Sequence, residues 1–201
     1  MEFSTEELDF FSNIFTETSN DSMVSNSQHQ LSVKTAVPHY LRQVLVDSKL
    51  TLLAEISHYQ LWFPVSLSIS EQGDFSPKFG TPEIIDVNGS ERSWRVNTPK
   101  NVAITDLYHG EKIELLSLSA TGLTIKVPSS DSNYIDLQQS SFEMSLAGDK
   151  PLKLELELVR HEDNIVAAKF NNLQEGRESL RKFIFNSHKV KYANFYQDII
   201  L

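Results

Sequence analysis

The sequence predicts a mainly β chain of the α+β type: a small six-stranded antiparallel barrel with a C-terminal helix, preceded by a smaller N-terminal domain. Three observations carry this. From residue 89 onward, short runs of alternating apolar and polar residues recur with turn residues between them. Near the end, Leu180, Phe183 and Ile184 switch to helical spacing. The first 30 residues differ in composition from everything that follows. The chain therefore divides into a head and polar linker (1–30), an N-terminal α+β domain (31–88) and a barrel with C-terminal helices (89–201).

Composition narrows the classes. At 201 residues and 40% hydrophobic, the chain can bury a real core. The net charge of −9 argues against a binder of nucleic-acid polymers. That charge is unevenly placed. Glu2, Glu6, Glu7, Asp9, Glu17 and Asp21 lie in residues 1–30 with no Lys or Arg, which leaves 21 acids against 18 bases in the rest. There is no cysteine, hence no disulfide, thiolate–zinc site or thiol nucleophile. No apolar run approaches the ~20 residues of a membrane helix, and no basic-then-apolar leader opens the chain. The expectation is a cytoplasmic protein without membrane insertion.

The elements follow in order. Ser4 and Glu7 form a capping box, and Leu8, Phe11 and Phe15 make one apolar face on a short acidic helix. That helix either packs on the body or serves as a tethered docking peptide. Residues 16–30 are rich in Ser, Thr, Asn and Gln and read as linker. Pro38 suits a first helical turn, with Leu41, Val44 and Leu45 on one face. Residues 50–56 either extend that helix or start a strand, the strand being preferred; residues 61–69 read as a strand, residues 71–74 as a turn, residues 80–86 as a short edge strand, and Asn88 with Gly89 as a tight turn. Strand-like runs then occupy 101–105, 112–117, 122–127, 152–159 and 165–170. In the fourth, Leu152, Leu154, Leu156 and Leu158 point one way and Lys153, Glu155 and Glu157 the other. Asp163 and Asn164 make a hairpin turn. Asn171 or Asn172 caps the last helix, and Tyr192, Phe195, Tyr196 and Ile199 form a second stripe. So aromatic an end must be covered, by the barrel or by a second subunit in a homodimer.

Enzyme constellations are missing. His29, His39, His58, His109, His161 and His188 stand in no metal-ligand spacing, and no phosphate-cradling glycine loop or nucleophile elbow occurs. Asp106, Glu111 and Glu114 supply carboxylates that nothing pairs. A non-enzyme with no cofactor is expected.

One stretch stands out. Arg92 and Arg95 flank Trp94; two strands later come Ser117, Ser119 and Gly122; further on come Leu158 to Arg160, Lys169 to Phe170 and the terminal helix. Over about residues 89–187 this order resembles the PilZ domain, the bacterial receptor module for cyclic di-GMP. The resemblance implies a ligand site made of Arg92, Arg95, Ser117, Ser119 and Gly122. It also implies a partner in motility, pilus or envelope machinery. Residues before the barrel look loosely like the N-terminal extension of YcgR-type flagellar brakes. The chemistry suits the ligand, because arginine forks onto phosphate or guanine edges and stacks on bases. Two positions depart from the family pattern. The arginines are spaced R-x-x-R with Glu91 where the first Arg belongs, and Ser117 replaces an Asp. A module that has lost its nucleotide and acts as a protein adaptor is the alternative. In the plainest reading, Arg92 and Arg95 are turn-flanking cations paired with Glu91 or Asp86.

Overall fold

The computed structural model describes residues 49–69, 75–88, 91–108, 110–127, 141–146, 150–171, 173 and 176–196. The acidic head helix, the Pro38 segment, the turn at 71–74, Gly89, Asn172 and Ile199 lie outside them. The chain forms two compact units, residues 1–83 with 188–201, and residues 84–187. The sequence boundary stood at 88/89, with everything after it in one domain.

In the first unit, β1 (Leu50–Ile56) and β2 (Tyr59–Ile69) form an antiparallel hairpin from Leu50↔Val65 to Ile56↔Tyr59. Ser57 turns the corner with φ +57°. β3 (Phe75–Phe79) pairs with β2 along Val65–Ile69. Alternation sorts β2 into two faces. Tyr59, Leu61 and Phe63 are buried, while Trp62 and its cross-strand partner Leu53 are about 40% exposed.

The second unit opens with β4 (Glu83–Asp86), whose Ile85 and Asp86 pair with Ser93 and Arg92 of β5 (Arg92–Ser93). Its main body is a curled antiparallel sheet in the order β11-β10-β7-β8-β9-β13-β12. The members are β7 (Val102–Asp106), β8 (Glu111–Ser119), β9 (Gly122–Lys126), β10 (Phe142–Leu146), β11 (Leu152–Leu154), β12 (Leu156–Glu162) and β13 (Ile165–Phe170). β6 (Arg95–Asn97) also pairs with β8.

Two runs bend, and the bends make the curl. β6 and β7 lie along the same edge of β8, on Ser117–Ser119 and then on Glu111–Ile113; between them Thr98 and Asn101 take left-handed φ of +42° and +63°. β11 and β12 stand at opposite ends of the sheet order yet are separated only by Glu155. One run of chain thus borders β10 with its first half and β13 with its second, which draws the sheet round on itself. The sequence predicted six strands; among the described residues the sheet has eight, six if β6 with β7 and β11 with β12 are each taken as one bent run.

The interior is filled by Ile104, Leu118, Leu123, Ile125, Phe142, Met144, Leu154 and Leu156 among others. The run at 152–159 differs from expectation. It is two strands, and Leu158 is 52% exposed rather than aligned with Leu152, Leu154 and Leu156. A bulge at Val159, between the pairs Leu158↔Ala168 and Arg160↔Ala167, breaks the alternation there.

Helix α1 (Arg177–Lys191) buries Leu180, Ile184, Phe185 and His188. Asn171 lies six residues before the helix's first residue, and its backbone N–H donates to the Glu155 carbonyl. Gly176 precedes it at φ +107°, and its carbonyl accepts from Leu180 N–H at 2.9 Å. That φ is what calls for glycine; a Cβ at Gly176 would meet only the end of the Leu152 side chain, at 2.4 Å. No helix among the described residues is long and apolar enough to cross a membrane.

Short helix α2 (Ala193–Tyr196) belongs to the first unit, and so does the cover for its aromatic rings. Tyr59 lies 5.2 Å from Tyr192, 6.2 Å from Phe195 and 4.4 Å from His188 between ring centroids. Tyr196 is 2% exposed. The chain's own hairpin thus packs on Tyr192 and Phe195 through Tyr59.

Candidate functional site

The sequence-predicted site residues lie around the hairpin β8–β9, on two sides of it. The Leu115↔Ile125 and Ser117↔Thr124 pairs leave Leu116 as an extra residue in β8. Such a bulge reverses which face each later residue takes. Leu115 and Leu118 therefore both point inward, and Ser117 turns outward beside Thr124.

Arg95 is exposed on β6, and its Nη1 donates to Ser117 Oγ at 3.1 Å and reaches Thr124 Oγ1 at 3.5 Å. Arg92 is exposed on β5. Trp94, between them, is buried, and its N–H donates to the Ile84 carbonyl at 2.8 Å, which anchors the strand carrying both arginines. Partial burial and then the Arg92 charge hold the Arg95 guanidinium below its ordinary pKa. The two cations thus repel each other across a face they share.

No carboxylate forms an ion pair with them among the described residues. Asp86 stands opposite Arg92 in register, but its Oδ1 accepts Asn88 N–H at 3.0 Å. Elsewhere on the neighbouring strands three cations have an acid beside them. Lys126 lies 3.4 Å from Glu114, Arg160 3.5 Å from Glu162 and Lys169 2.9 Å from Glu157. Arg92 and Arg95 make no such pair among the described residues. Exposed pairs contribute little stability. The contrast instead identifies where positive charge is left available.

Ser119 and Gly122 play another part. Ser119 is fully buried, and its hydroxyl donates to the Gly122 carbonyl at 3.0 Å while accepting Gly122 N–H at 3.2 Å and Thr121 N–H at 3.4 Å. Its hydrogen-bonding capacity is spent inside the turn. At Gly122 a Cβ would stand 2.4 Å from the Ala168 carbonyl oxygen, so only glycine lets β13 come this close. These two residues shape the face that Arg95, Ser117 and Thr124 present. Thr124 was not among the sequence candidates; alternation from Gly122 would have placed it outward, opposite Ser117. Of the other carboxylates, Asp106 accepts Tyr108 N–H at 2.9 Å in a turn, and Glu114 pairs with Lys126.

No family model matches the chain, and no curated protein does. Solved structures with a similar course of chain include an uncharacterized Legionella protein (TM-score 0.38, 15% identity, covering 50% of this chain and 99% of that one). The Bacillus subtilis inhibitor of motility, MotI/DgrA, reaches 0.39 at 9% identity, covering 67% of this chain and 68% of its own. The MrkH–c-di-GMP complex of K. pneumonia reaches 0.38 at 12%, covering 86% and 83%. Likeness of that degree carries no information on what this chain binds.

Proposed function

We propose that the outward face formed by Arg92, Arg95, Ser117 and Thr124 binds cyclic di-GMP, and that the protein is a PilZ-type regulatory adaptor for motility, pilus or biofilm-related machinery. The observation that supports this is a pair of exposed guanidiniums with no ion pair among the described residues, one of which, Arg95, donates to the Ser117 hydroxyl and reaches that of Thr124. A cyclic dinucleotide brings two phosphates and two guanines, and forked, flat guanidiniums suit both. In this reading Arg92, Arg95 and Ser117 touch the ligand, whereas Ser119 and Gly122 position the strand beneath it. Ligand phosphate would also relieve the repulsion between the arginines. Isothermal titration of the full chain with cyclic di-GMP tests it. Saturable heat at micromolar ligand is expected; a folded protein that gives none at high micromolar ligand overturns it.

The adaptor without nucleotide is favoured by one observation, that the position where the family carries an acid is Ser117, already engaged by Arg95. A partner pulled down equally with and without the messenger supports that reading.

A further inference from the structure

The barrel's register carries its outer face beyond Arg95 and Ser117. Asn97 stands opposite Ser117, Ser117 opposite Thr124, Thr124 opposite Ala167, and Ala167 opposite Arg160. Directly opposed residues share a face of a sheet, so these five form one row across β6, β8, β9, β13 and β12. Asn97 ends that row on β6, two residues after Arg95 and, like it, exposed. Two residues along a strand span about 7 Å. The Arg95 guanidinium, on Ser117 and Thr124, lies over the two row positions nearest to Asn97.

The other polar groups nearby are already engaged. At the far end of the row Arg160 lies beside Glu162, and in the adjoining rows Lys126 and Lys169 lie beside Glu114 and Glu157. The hydroxyls of Ser117 and Thr124 face the Arg95 guanidinium. Asp86 and Glu91 stand next to Arg92 at β5, off the row. The Asn97 side chain makes no hydrogen bond among the described residues. Arginines offer donors only, whereas this amide adds an acceptor next to a donor.

That combination matches a purine edge. Guanine presents an acceptor beside a donor at O6 and N1–H, and adenine presents the same at N7 and N6–H. We infer that Asn97 reads a base of the bound dinucleotide and accepts adenine there as well as guanine, so that this face takes mixed cyclic dinucleotides besides cyclic di-GMP. This rests on the ligand reading above. One nucleotide then sets its phosphate on Arg95 and its base on Asn97. A carboxylate at position 97 would only accept, which suits N1–H and N2–H of guanine and repels N7 of adenine.

Isothermal titration of the full chain with cyclic di-GMP and with cyclic GMP–AMP tests this. The wild-type chain should bind the two within about tenfold of each other. Asn97→Ala should weaken both by roughly 5- to 150-fold, the range for one bidentate base contact. Asn97→Asp should move the affinity ratio about tenfold or more toward cyclic di-GMP. Asn97 is exposed, so both variants should keep the wild-type thermal midpoint, which controls for the fold. Unchanged affinities in Asn97→Ala overturn the inference and leave the ligand reading standing. So does a wild-type chain that binds cyclic di-GMP and rejects cyclic GMP–AMP. So does an equal loss of both ligands in Asn97→Asp, the mark of a charge set near phosphate. A folded wild-type chain that binds neither overturns the ligand reading itself, and this inference with it.

Discussion

The first unit and the barrel treat cationic side chains in opposite ways. In the first unit His188 is fully buried, its Nδ1 lies 2.7 Å from the Tyr196 hydroxyl, and Tyr59 packs against its ring edge-on. Burial, then Lys191 and His58, push its pKa down to about 3, so it is a neutral ring at ordinary pH. Burial, with Tyr59, raises the Tyr196 phenol above its usual range, so that group is neutral too. On the barrel, Arg92 and Arg95 stay outside, with no ion pair among the described residues. A group held neutral inside serves the fold; a charge left unpaired outside can serve a ligand. Ser119 and Ser117, two residues apart on one strand, show the same division.

Four experiments break or sharpen that comparison. Gly122→Val should have the largest effect, because its Cβ meets backbone rather than a yielding side chain. A loss of about 3 kcal/mol or more in chemical denaturation is expected, and a near-neutral result would show β13 free to retreat. Acid should come next. The unfolded state protonates His188 near pH 6.5 and the folded state only near 3, so stability is complete above pH 6.5 and falls as pH drops toward 3. The slope approaches ~1 kcal/mol per pH unit in that window, read as thermal midpoints from pH 7 to 4. His188→Phe should flatten the profile. Third, Arg95→Ala should weaken cyclic di-GMP binding roughly 10- to 150-fold with the fold unchanged, as loss of a charged hydrogen-bond donor implies. Normal binding would show that the site lies elsewhere. Smallest, Thr124→Val should change affinity by about fivefold or less, since a neutral hydroxyl is worth ~1 kcal/mol.

Much of the fold was legible, for physical reasons. Residues 61–69 alternate from Val65 long enough for period two to show, whereas 50–56 has no clean period and stood between helix and strand; both are strands. β5, β6 and β11 have two or three residues, too few for any period, and β10 at Phe142–Leu146 was overlooked among polar neighbours. The site was half legible. Residue types pointed to Arg92 and Arg95, but a single extra residue at Leu116 decides that Ser117 faces out, and no composition signals it. Ser119 was grouped with the ligand contacts because its spacing from Gly122 is conspicuous; the structure accounts for that spacing by the hydrogen-bonded turn.

The bend at Glu155 also sets an order on the ribosome. β7, β8 and β9 are joined by short turns and can pair as they emerge, but β10, which borders β7, appears only at Phe142, and β13, which borders β9, is complete only at Phe170. Until then the nascent meander exposes two unpaired edges, each open to strand addition by another chain. The run from Leu152 to Glu162 covers β10 with its first half, while its second half waits for β13, which closes the β9 side only at Phe170. A stop or a protease cut there would leave a sheet that is nearly whole in sequence and open along both margins, the form of this protein most prone to aggregate.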